Sequence, residues 1–119
     1  MNATIRPINL VVLRGALRAE PVERELPSGA RVVQFDVATE LDGATSIAPV
    51  SMIDPPKTSL DALSAGADVV VFGTVHRRFF RVDGRTQSRT EVVAERVVGA
   101  RRSAPVRRLL ADAVATIDP

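Results

Sequence analysis

Between His76 and Glu91 the sequence reads HRRFFRVDGRTQSRTE. Five of the fifteen arginines (Arg77, Arg78, Arg81, Arg85 and Arg89) and two of the four phenylalanines (Phe79 and Phe80) fall here, around an Asp83-Gly84 turn. Guanidinium groups present forked donors that suit phosphate and carboxylate oxygens. The wider block points the same way. Residues 76–108 carry ten arginines against three acids, whereas residues 1–75 carry nine acids against six bases. Such a block calls for an anionic partner. The competing reading is a solvated face in a chain that prefers arginine, since Lys57 is its sole lysine. Adjacent strand residues point to opposite faces, so Phe79 and Phe80 are expected to serve different surfaces. Pairing across the hairpin or filling an interface is the plain structural use for either ring.

Other chemistry is sparsely provided. His76 is the only histidine and there is no cysteine, which excludes disulfides and thiolate metal sites and argues against a dedicated transition-metal centre. No nucleophile-elbow motif occurs and the glycines do not have phosphate-loop spacing. The sequence therefore predicts neither an enzyme nor a cofactor. It predicts no membrane partner either, because no apolar run reaches the ~18 residues of a spanning helix. The start, MNATIRPINLVVLRGAL, lacks a basic head followed by a long apolar stretch. That predicts no signal peptide and a cytoplasmic location.

The elements that must position these residues follow from periodicity. The length of 119 residues suits one domain with its own core. Ile8 to Arg14 is a short apolar run expected to end at Gly15 as a strand. Val22 to Leu26 precedes the turn Pro27-Ser28-Gly29. Ala30 to Glu40 alternates, with Val33, Phe35 and Val37 on one face and Gln34 and Asp36 on the other. Thr45 to Ile53 is a weaker strand, stopped by Asp54-Pro55-Pro56. Thr58 or Ser59 is expected to cap a short helix bearing Leu60 and Leu63 and ended by Gly66. Asp68 to Val75 is the most apolar strand, with Gly73 marking a bulge or sharp coil. Thr90 to Val98 returns after the turn. Pro105 to Ile117 sets Val106, Leu109, Leu110, Ala113, Val114 and Ile117 at helical spacing, an amphipathic helix. Five strands with one inserted helix suggest a small closed barrel. The expected division is a barrel domain over residues 1–102 and a helix over residues 103–119, packed on the barrel or in an oligomer contact.

Two segments resemble the bacterial single-stranded DNA-binding protein family over roughly residues 6–100. The first is NLVVLRGALRAEPVERELPSGARVVQFDVATE, through Asn9, Leu13, Gly15, Leu17, Glu20, Pro21, Arg24, Pro27-Ser28-Gly29 and Ala38-Thr39. The second is GADVVVFGTVHRRFFRVDGRTQSRTEVVAERV, with a glycine before the fourth strand, Gly73 within it, an aromatic before the hairpin and Thr-Glu-Val after it. The resemblance implies an all-β, five-stranded OB-fold barrel with one short helix between strands three and four. It also implies non-sequence-specific binding of single-stranded DNA, homodimers or homotetramers, and a role beside replication, repair or recombination proteins. Such binders stack bases on aromatic rings, at ~1–3 kcal/mol per base, and track the backbone with basic residues. Phe80 falls where the family carries a stacking aromatic. Arg77, Arg78, Arg81, Arg85 and Arg89 surround it as candidate phosphate ligands, and Phe79 is assigned to an oligomer contact.

The chain departs from that family in two respects. Positions where relatives place further stacking aromatics hold Leu41, Ile47 and Ile53, and Ile47 and Ile53 enter the candidate nucleic-acid-binding set as aliphatic base contacts. The Leu41–Ala44 connection is short where relatives have a long hairpin. The family's Gly/Pro/Gln-rich linker and acidic tip are replaced by VRRLLADAVATIDP. These departures predict weak binding, a shorter site or lost binding. The alternative reading is an OB-fold oligomerisation or protein-interaction module that no longer holds single strands.

Overall fold

The computed structural model describes residues 5–117; residues 1–4 and 118–119, which the expected barrel and helix segments include, lie outside the described residues. The strands are β1 (Val11–Leu17), β2 (Val22–Glu25), β3 (Arg31–Leu41), β4 (Ala44–Ile53), β5 (Asp68–Val82) and β6 (Arg85–Gly99). The helices are α1 (Lys57–Ala62), between β4 and β5, and α2 (Ser103–Ile117) at the end.

Alternation in β3 does what its residue types require. Val33, Phe35 and Val37 turn inward with Val50, Met52, Val69, Val71 and Val97 to form the main core. Enclosing each such side chain contributes about 1.5–3 kcal/mol. The sheet runs β1-β5-β6-β4-β3-β2, and β1 also pairs with β3 at Ala16–Ala38 and Leu17–Val37. Five strands therefore close into a ring, and β2 hangs on it as a hairpin with β3. The parallel rung is β4 with β6, at Val50–Val92 and Ser51–Val93. All other pairings are antiparallel. This is the OB-fold expected from the resemblance, with its helix between the third and fourth strands of the ring.

Several local expectations are corrected. β1 does not end at Gly15 but runs through it to Leu17. A Cβ at Gly15 would collide with the Ala38 carbonyl, so this glycine allows the close approach of β3 that shuts the barrel. Neither Thr58 nor Ser59 caps α1. The helix starts earlier, after Pro56, whose carbonyl accepts from the Ser59 and Leu60 amides. Ser59 lies inside it, buried, with Oγ 3.5 Å from the Val97 carbonyl. The fixed φ of the Pro55-Pro56 pair sets this entry without a side-chain cap. β5 and β6 also reach far beyond the expected Val75 and Thr90, to a two-residue turn at Asp83-Gly84 with φ of 51° and 76°. A two-residue turn with positive φ at both positions is the type that matches strand twist in tight hairpins. Asp42-Gly43 makes a similar turn between β3 and β4.

Helix α2 packs on the outer side of β5 and β6. Leu109 and Ala113 are buried with Val70, Phe72 and Ala100, and Val106 is partly covered. The other half of the expected apolar face, Leu110, Val114 and Ile117, stays exposed. Six apolar positions make an arc wider than one helix-on-sheet contact covers. No described helix is long and apolar enough to cross a membrane.

Candidate nucleic-acid interface

Beyond Gly73 the strand β5 loses its β1 neighbour, β6 keeps its β4 neighbour as far as Val92, opposite Val75, and past that rung the β5–β6 hairpin leaves the barrel as a two-stranded ribbon. Its root is fastened by Asn9. The Asn9 side chain accepts from the Val75 amide and donates to the Val75 carbonyl, each at 2.8 Å, adding one rung past the last β1–β5 pair. On the ribbon Arg78 stands opposite Arg89, and Phe80 opposite Gln87. Like charges directly opposed repel. Glu91 offsets this: its Oε1 lies 2.8 Å from Arg78 Nε, and the residue is only 3% exposed. Its Oε2 is buried without a partner among the described residues.

The hairpin borders a groove of about 340 Å³ lined by Arg24, Gln34, Arg78, Phe79, Phe80 and Arg89. Register explains how β2 and β3 reach it. Val22 pairs with Gln34 and Arg24 with Val32, so Arg24 and Gln34 share the outer face of the sheet, opposite the core-facing Val33 and Phe35. On the same outer face Gln34 pairs with Ser51, Ala38 with Ile47, and Val32 with Ile53.

The structure thus brings Phe80, Arg78 and Arg89 of the expected set into one groove. Ile47 and Ile53 lie half-exposed on the same sheet face but do not border the groove. Arg77 and Arg81 are held within the hairpin: Arg77 donates to Ser88 Oγ at 2.9 Å, and Arg81 donates to the Gly84 carbonyl at 2.7 Å. Arg85 is exposed beside the turn. Phe80 is 40% exposed and Phe79 67%. Arg77 sits over the Phe79 ring, 5.4 Å from its centre. The expectation that the two rings serve different surfaces needs correction, because both border the groove. Two-stranded ribbons twist more than wide sheets, which lets neighbouring side chains reach one space.

Arg24 and Gln34 were not among the expected site residues. Their signal was present in the alternation of RVVQFDV, which turns Gln34 outward, and in the short β2 hairpin that sets Arg24 beside it. An outer sheet face bearing arginines and an exposed aromatic can follow a phosphate backbone and stack a base. A family model, the single-strand binding protein family, matches residues 8–99. The chain belongs to the single-strand binding protein family. The match covers every strand of the barrel and the whole hairpin, and stops before α2. No curated protein matches the chain significantly. Single-stranded DNA binding is thereby the function of the domain, and the reading as a module that has lost it finds no support.

The Glu91–Arg78 pair separates structural from ligand-facing arginines. Arg78→Ala leaves a buried carboxylate with neither oxygen paired, at a cost of about 1–3 kcal/mol. Arg81→Ala removes only a surface contact and should cost under about 0.5 kcal/mol. Thermal melts of the two variants check this; equal melting temperatures would show that Glu91 does not need Arg78.

Proposed function

We propose that the domain holds single-stranded DNA without sequence preference along the outer face of β3, β4 and the β5–β6 hairpin. One base stacks on Phe80, and backbone phosphates lie against Arg24, Arg85 and Arg89. Arg77 and Arg81 add positive charge along the ribbon. Arg78 has a double part, cation in the groove and clamp on Glu91. Ile47 and Ile53 offer aliphatic contact to bases further along the sheet, without a π-face. The observation that carries this reading is the single groove gathering Phe80, Arg24, Arg78 and Arg89 from β2 and the β5–β6 hairpin. With one or two rings on the path, the affinity is below that of a binder with several. The exposed Leu110, Val114 and Ile117 on α2 supply apolar surface for self-association, the family's usual state. A role in replication, repair or recombination is the typical setting of the family.

Amide chemical shifts followed during titration with oligo(dT) test the placement. Changes are expected at Arg24, Gln34, Phe80 and Arg89, with little at Leu109 and Ala113. Changes concentrated on α2 instead would overturn the placement.

A further inference from the structure

A second cavity, of about 560 Å³, lies between α1, the end of β6 and the start of α2. Arg89, in the groove, and Val97, in this cavity, are eight residues apart on one strand, about 26 Å of extended chain. The two sites are therefore separate. Three arginines line the cavity, Arg96, Arg102 and Arg108, and Asp61 is the one acid among its lining residues. Arg102 and Arg108 are exposed and form no ion pair among the described residues. Arg96 gives Nη1 to Asp112 at 2.7 Å, while its Nη2 is buried with no partner among the described residues. Arg102 and Arg108 are therefore the lining cations that stand open to solvent, and an anionic group in the cavity is the partner they lack.

Thr58 and Ser59 add hydroxyl groups to the lining, and Pro56, Ala62 and Pro105 give it apolar surface. No phenylalanine reaches it, because Phe35 and Phe72 are in the two cores and Phe79 and Phe80 are on the hairpin. A nucleic acid would find charge here but no platform for its bases. Carboxylates joined to an aliphatic group match both halves of the lining, and the volume suits a few side chains.

We propose that this cavity docks a short acidic segment of a partner protein, with its carboxylates on Arg102 and Arg108 and an apolar side chain against Ala62 and Pro105. The proposal goes beyond strand binding and does not depend on it. The probe is a fluorescein-labelled peptide of alternating aspartate and leucine, compared with its asparagine–leucine counterpart, by anisotropy on the full chain at low salt. The aspartate peptide should bind saturably, and the asparagine peptide about tenfold more weakly or worse. Arg102→Ser with Arg108→Ser should weaken the aspartate peptide by about tenfold or more and leave oligo(dT) binding unchanged. Phe80→Ala should leave peptide binding unchanged. Arg108→Ser alone carries the same expectation at smaller size if the double variant does not fold. Absence of saturable binding, or equal binding of the two peptides, would overturn the proposal. So would peptide binding lost through Phe80→Ala, which puts the peptide in the groove. Oligo(dT) binding weakened by the double arginine change would make the cavity part of the nucleic-acid path and equally defeat it.

Discussion

Gly73→Ala should lower the melting temperature by roughly 10 °C or more, whereas Gly99→Ala should leave it nearly unchanged. Both glycines lie in long strands of the same β5–β6 pair. At Gly73 the register slips, since Phe72 faces Arg96 while Gly73 faces Ala94, so Glu95 is the extra residue of a bulge. A Cβ there would run into the Val93 carbonyl, with the Val93 carbonyl carbon and the Ala94 Cα each 2.9 Å away. These atoms are backbone and cannot rotate aside, so the strand itself must move. Overpacking of this kind costs about 3 kcal/mol, a large share of a domain's roughly 5–15 kcal/mol of stability. At Gly99 the nearest atoms are the flexible Arg102 side chain at 3.8 Å. Alanine there meets no clash and reduces the freedom of the unfolded chain. Calorimetry on the two variants decides the matter, and similar melting temperatures would mean that the bulge does not need a glycine.

The same contrast explains what could be read from the sequence. The residues that carried the family resemblance have become scaffold. Asn9 completes the ladder at Val75, Gly15 admits the Ala38 carbonyl, and Glu20 accepts from the Ala65 amide at 2.9 Å. Gly29 closes the β2–β3 turn with a φ of 90°. Backbone constraints restrict residue type strongly, so they leave a mark at fixed spacing. The strands facing the core were legible through alternation, as in Val33, Phe35 and Val37. The outer half of the hairpin was not, because Arg77 to Val82 and Arg85 to Arg89 have no buried face to impose a period. The partners in the groove were hidden for another reason. Arg24 and Gln34 meet Phe80 only through β2–β3 register and the course of the hairpin, which no local pattern encodes. Glu91 was marked only as part of the Thr-Glu-Val after the hairpin, and its burial under Arg78 appears only in three dimensions. On α2, periodicity marked an apolar arc but could not say which stripe would meet the sheet.

Phe80→Ala should weaken oligo(dT) binding by about 1–3 kcal/mol, roughly 5- to 150-fold, while leaving the salt dependence nearly unchanged. Stacking on the ring displaces no counterion, so removing it shifts a plot of log K against log salt without tilting it. Arg89→Ala should behave in the opposite way. It removes one phosphate contact, flattening the slope by about 0.7, and takes its largest toll at low salt. Arg89 suits this test better than Arg78, because Arg78 also guards the buried Glu91. Phe79→Ala gives an internal comparison. Its ring is the more exposed and already lies beneath Arg77, and the proposed path gives it the smaller loss.

The most direct measurement is an anisotropy titration of labelled oligo(dT) with the wild-type protein and Phe80→Ala across a salt series. Three to five engaged arginines give a slope of about −2 to −3.5 for one subunit, so affinity should fall roughly 10- to 100-fold between 50 and 200 mM salt. Phe80→Ala should run parallel to the wild type and below it. Absence of binding at low salt would contradict strand binding itself. Binding that follows the same slope but is indifferent to Phe80→Ala would contradict the stacking site and leave only a basic surface attracting a polyanion.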